Sequence, residues 1–153
     1  MAHTESRAGA AIFWAGLVCG CMDITAAFVT WGIKGVSPAR ILRGIASGLL
    51  GAKALKGGWD IAALGLACHF FIAFCAATVF YLASRRIEFM TRRAIVAGVI
   101  YGVIVYVVMY WMVKPLSLVA PRPFSWTETV VAIVTHIVCV GLPISLIVKR
   151  VAA

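Results

Sequence analysis

The chain has 153 residues, of which 63% are hydrophobic and only 12% are charged. A soluble domain carries roughly 45–50% apolar and about 25% charged residues, and a small domain could not hide this much apolar surface from water. The composition therefore excludes an ordinary soluble protein. The net charge of +9 does not indicate a nucleic-acid partner, because the Lys and Arg lie between apolar runs, where membrane lipid headgroups would meet them.

Four apolar runs are long enough to cross a membrane. A helix rises about 1.5 Å per residue, so roughly 20 residues cross the ~30 Å hydrocarbon core. Backbone groups in lipid must pair within the segment, which favours helices. The predicted spans are 8–33, 59–83, 94–113 and 127–148. We predict an all-α integral membrane four-helix bundle that forms a single domain, residues 1–153.

Segment 37–51, between the first two predicted spans, is too short to cross the membrane. Ser37 followed by Pro38 is typical of a helix start, and the following apolar side chains fall on one helical face. This pattern predicts a short interfacial or re-entrant amphipathic helix. We expect Arg40 and Arg43, on its polar face, to contact lipid headgroups.

The ends of the predicted spans carry local signals. Ser125, with Glu128 three residues later, is a capping box for the fourth span, and Asp60 lies where a helix N-terminus favours an acid. Pro115, Pro121 and Pro123 predict a non-helical stretch before that fourth span. In an antiparallel bundle, four tryptophans would mark one side of the membrane as an aromatic belt: Trp31, Trp59, Trp111 and Trp126.

Three ionisable residues lie deep inside the predicted spans: Asp23, His69 and His136. Each is nine or ten residues from the tryptophan end of its span, so all three lie roughly 15 Å deep, near the midplane. Small residues share their helical faces, which predicts that these faces point into the bundle, with Cys139 and Pro143 beside His136 in the fourth span. We expect a buried Asp/His/His cluster that either fixes helix packing or senses protons.

Two other classes of function fit the same residues. The cluster, with Cys68 or Cys139, has ligand types that suit zinc or copper, and His69 with His136 could ligate haem. Alternatively, the chain is a component of a small oligomeric transporter or channel, whose copies associate through Gly16-x-x-x-Gly20 and Gly98-x-x-x-Gly102. We find no catalytic motif, and we predict no enzyme activity, no catalytic residue and no bound cofactor.

Several segments together resemble a family of small bacterial inner-membrane proteins of the YagU-like kind, known mainly as hypothetical proteins. These segments are SPARILRGIASGLLG (37–51), GGW (57–59), HFFIAF (69–74), YLASR (81–85), KPLS (114–117) and GLPI (141–144). The resemblance covers nearly the whole chain and implies four spans in a bacterial cytoplasmic membrane. It implies no activity.

The topology prediction depends on arginine density. The fourteen Lys and Arg divide equally between the two sides, but the short loop 84–93 alone holds four Arg, and dense positive charge in a short loop favours the cytoplasm. We therefore expect both termini and this loop to be cytoplasmic. In intact cells, an impermeant maleimide should label Lys53→Cys but not Glu88→Cys. Labelling of position 88 from outside would reverse the topology.

Overall fold

Helices make up nearly all of the described chain, residues 2–121 and 123–152 of a computed structural model, and no strand occurs in those ranges. Side chains are described for residues 7–121 and 123–151. The α-helices are α1 (Ala2–Gly32), α2 (Pro38–Leu50), α3 (Trp59–Ser84), α4 (Phe89–Arg92), α5 (Ala94–Val108), α6 (Lys114–Leu116), α7 (Trp126–Thr135) and α8 (Leu142–Ala152). A 3₁₀ helix, Gly51–Lys56, follows α2.

Two π-helical segments join shorter helices into longer ones. Met109–Val113 connects α5 to α6, and His136–Gly141 connects α7 to α8. Within the described residues, four continuous helices are then long and apolar enough to cross a membrane: Arg7–Gly32, Trp59–Ser84, Ala94–Leu116 and Trp126–Val151. The predicted all-α four-helix bundle is confirmed, and by length and composition the chain is a multi-pass membrane protein.

The core of the bundle lies in the half away from the four tryptophans at the span ends. The first span packs against the second and the fourth, and the third packs against the fourth. The buried side chains come from all four spans and include Cys19, Phe80, Tyr101, Ile144 and Val148. Tyr101 also donates a 2.7 Å hydrogen bond to the Ala76 carbonyl, which ties the third span to the second.

Glycines allow the closest helix contacts. Gly16 and Gly20 of the first span lie under the rings of Phe74 and Phe70 of the second. The backbones of Gly98 and Gly102 in the third span meet that of Gly141 in the fourth. Both predicted glycine motifs therefore form contacts between helices of the same chain. The buried faces of these motifs are therefore not available for association with a second copy.

The short amphipathic helix is confirmed as α2, and it is held firmly on the bundle. The Ser37 hydroxyl caps it by accepting from the Arg40 backbone N–H. Its backbone at Leu42 rests directly on Gly65 of the second span. At its other end, the Leu118 N–H donates a 3.0 Å hydrogen bond to the Gly48 carbonyl. One side of α2 is thus covered by protein.

The π turns explain two differences from the sequence-based predictions: the face that the fourth span buries, and the helical conformation of Pro115. In each π turn, an N–H bonds five residues back: Lys114 to the Met109 carbonyl, and Leu142 to the Ile137 carbonyl. The extra residue rotates the rest of the helix, so the fourth span buries Val140, Gly141, Ile144, Ser145 and Val148 rather than the predicted Cys139 and Pro143.

The prediction that Pro115 lies in a non-helical stretch was wrong. The third span continues through Pro115 to Leu116. A proline within a helix lacks an N–H and crowds the preceding turn. Here the preceding turn is the π turn, a site where helices commonly absorb such a distortion.

The ends of the first and fourth spans are tied together at the tryptophan end. The Ser125 hydroxyl accepts from the Glu128 N–H, which confirms the predicted N-cap. The Glu128 carboxylate also accepts a 2.7 Å hydrogen bond from the ammonium of Lys34, just beyond the first span. Both side chains are partly exposed, so this ion pair contributes at most about 1 kcal/mol.

Gly65→Ala tests the docking of α2. A methyl group at position 65 would overlap the Leu42 carbonyl, which is backbone and cannot rotate away. We expect the variant to lose about 1–3 kcal/mol in its free energy of unfolding, measured by titration with a denaturing detergent. Gly44→Ala is the control, because a methyl group there meets no atom within 4 Å, and the higher helix propensity of alanine should leave stability equal or greater. Equal stability of both variants would contradict the docked position of α2.

Candidate functional site

The three ionisable residues predicted to form a cluster lie on three different spans. Asp23 is on α1, one turn from the buried Cys19 and Gly20. His69 is on α3, and His136 is the first residue of the π turn in the fourth span. All three side chains are half-buried rather than fully enclosed.

His69 connects two spans. Its Nε2 lies 2.9 Å from the Gly20 carbonyl oxygen, and because a carbonyl only accepts, this nitrogen carries the proton. The ring also packs edge-on against Phe70 at a centroid distance of 5.5 Å. His69 therefore has the packing role that was one of the two predicted roles for the cluster.

His136 bonds within its own helix. Its Nδ1 donates to the Ala132 carbonyl at 2.7 Å, one turn earlier. Its ring lies edge-on to Tyr106, which stacks on Tyr110. The bond orients the ring beside the third span without linking it to the first.

Asp23 has no comparable bond. Among the described residues, its carboxylate forms no hydrogen bond or ion pair, and neither imidazole is its direct partner. It does lie close enough to the thiols of Cys19 and Cys139 to interact with them electrostatically. The directly bonded Asp/His/His cluster is therefore not what the structure shows. His69 bonds to the backbone of the first span, and the Asp23 carboxylate has no hydrogen-bond partner among the described residues.

The structure gives no support to the metal hypothesis. In the described part of the chain, no three His, Cys, Asp or Glu side chains come close enough to hold an ion. The five cysteines are free thiols, of which Cys19 is buried and Cys68 and Cys139 are half-buried. The haem hypothesis requires ring nitrogens of His69 and His136 that face one cavity. The hydrogen bonds use Nε2 of His69 and Nδ1 of His136, so only the second nitrogen of each ring could bind iron, and the haem hypothesis stays a prediction.

The third and fourth spans are loosely packed at their tryptophan ends. Helix α7 and the π turn Met109–Val113, both described in full, bury none of their residues. A shallow, open groove runs between the first and fourth spans. It is lined by Cys21, Met22, Thr25, Ala26, Val29, Thr30 and Cys139. Asp23 thus lies where the packed core ends and the open half begins.

The two arginines predicted to contact lipid headgroups differ in environment. Arg43 is half-buried, and its guanidinium donates to the carbonyl of Gly57 at 2.6 Å and to that of Ala39 at 3.2 Å. Arg40 is exposed. The structure thus gives Arg43 a role in folding the connection back along α2, a role that its position on a polar helical face did not reveal.

Comparisons with protein-family models, with curated proteins and with solved structures found no match for this chain. The resemblance to a YagU-like family stays a prediction, and the site has to be interpreted from its own geometry.

His69→Phe tests the tie between the first two spans. The substitution keeps an aromatic ring but removes the donor to Gly20, and interhelical hydrogen bonds in membranes contribute about 0.6 kcal/mol on average and at most about 1.7. We expect a loss in this range on unfolding in detergent. His136→Phe is the control. It removes only a bond within one helix, so chemical cross-linking between the first and second spans should be the same as in the wild type. Full stability of His69→Phe would show that the bond contributes nothing.

Proposed function

We propose that the chain is a proton-responsive multi-pass membrane protein in which Asp23 is the group that takes up and releases the proton. The observation that carries this proposal is the position of Asp23: mid-span, beside buried Cys19 and Gly20, half-buried, and without a bonded partner among the described residues. An acid at this depth is costly in either state unless it has a role or a partner.

The alternative, a purely structural role, fits the two histidines better than it fits Asp23. A polar residue that holds helices together does so through a bond, as His69 does with Gly20. Asp23 makes no such bond in the described part of the bundle, so removing its charge should release no neighbour. We propose that protons reach Asp23 from the tryptophan side, where α7 and the π turn Met109–Val113 bury none of their residues.

The location of the protein belongs to the same proposal. We infer a bacterial cytoplasmic membrane from the resemblance carried by the sequence segments. The arginine density of the loop 84–93 favours an orientation with that loop and both termini on the cytoplasmic side. In this orientation the open half faces outward, so Asp23 would respond to the pH outside the cell.

Infrared spectroscopy of proteoliposomes tests the proposal. On acidification the wild type should gain the carbonyl band of one protonated carboxyl that Asp23→Asn lacks, and the band should reverse when the pH is raised. Asn keeps the shape, and Asp23 has no bond to lose among the described residues, so the free energy of unfolding should not decrease. Asp60→Asn, at an exposed helix N-terminus, is the matched control and should retain the Asp23 band. Spectra of wild type and Asp23→Asn that titrate identically would refute the proposal.

A further inference from the structure

Six described basic residues collect at the tryptophan end, and three of them are engaged by the protein. Lys34 pairs with Glu128, Arg43 bonds to Gly57, and the Lys114 ammonium lies over the Tyr110 ring. Arg40, Lys53 and Lys56 are different. All three are exposed, and their side chains form no hydrogen bond or ion pair with any described residue.

The three unpaired residues lie close together along the chain path. Lys53 and Lys56 are three apart in the 3₁₀ helix Gly51–Lys56, and side chains at this spacing in a 3₁₀ helix project from the same face. The buried Ala54 fixes this helix against the bundle. The bond from Arg43 to Gly57 brings the residue after Lys56 back beside α2, one turn from Arg40.

Exposed apolar side chains flank this basic face. Leu49, Leu50 and Leu55 are 63%, 43% and 38% exposed, and Trp59 is 80% exposed. Such a combination of leucines, a tryptophan and unpaired lysines at the end of a membrane span is suited to the boundary between acyl chains and headgroups. In water the leucines would be left uncovered.

We propose that Lys53 and Lys56, flanked by Arg40, bind the phosphate of an anionic phospholipid, whose acyl chains cover Leu49, Leu50 and Leu55. Charge complementarity favours this occupant, because Asp60 is the one acid in the sequence between Lys34 and Arg86. A free phosphate would satisfy the lysines and leave the leucines exposed, so the lipid is the occupant that accounts for both features.

Photo-cross-linking locates the lipid. The full chain is placed in liposomes with phosphatidylglycerol and phosphatidylcholine analogues that carry the same photoreactive acyl chain, and cross-links are mapped by peptide mass spectrometry. We expect the ratio of phosphatidylglycerol to phosphatidylcholine cross-links within residues 49–59 to exceed that of the bulk lipid. In Lys53→Gln/Lys56→Gln the ratio should fall by roughly fivefold for each lysine, the equivalent of about 1 kcal/mol per basic residue.

Lys149→Gln/Arg150→Gln is the matched control, since it removes the same charge from exposed positions at the other end of the fourth span. It should leave the ratio at 49–59 unchanged. Circular dichroism should show equal helix content in both variants. A ratio unaffected by Lys53→Gln/Lys56→Gln would overturn the proposal. Loss of the cross-links on adding millimolar inorganic phosphate would show that the site takes free phosphate instead.

Discussion

Helices that lie in hydrocarbon gain little from burying apolar side chains against each other, because lipid is as apolar as leucine. Close backbone packing therefore has to hold this bundle together. Gly98 and Gly102 meet Gly141 between the third and fourth spans, and Gly65 receives the backbone of α2. Each contact occurs where a side chain would otherwise keep the helices apart. The arrangement of the helices follows from these few positions.

The elements that depend on local signals were predictable from the sequence. Span length, the Ser37 and Ser125 caps and the start of the second span at Trp59 are set by residues next to one another, and the structure has them close to where they were expected. The π turns were not predictable. The π turn His136–Gly141 changes which face the fourth span beyond it turns toward the glycines of the third. This is a tertiary requirement that leaves no signal in the helical periodicity.

The bonding partners of the candidate site residues could not be predicted, for a related reason. A constant rise per residue places Asp23, His69 and His136 at one depth whatever their partners are. It does not decide what each side chain bonds to, because every turn of a neighbouring helix offers carbonyl oxygens as well as side chains. His69 finds the Gly20 carbonyl and His136 finds that of Ala132. The expectation of a buried Asp/His/His cluster did not take these backbone acceptors into account.

The asymmetry of the bundle connects its packing to its chemistry. Helix α2 covers the second span at Gly65, but nothing equivalent among the described residues covers α7 or the π turn Met109–Val113 on the opposite side. The tight contacts at Gly98, Gly102 and Gly141 begin only below that level. Asp23 therefore lies near the boundary between the packed core and the loosely packed part of the bundle. This position matters for the proposed proton uptake, because a carboxylate at the place of Cys19 or Ala15, one or two turns further toward the core, would be enclosed and could neither hydrate nor exchange a proton.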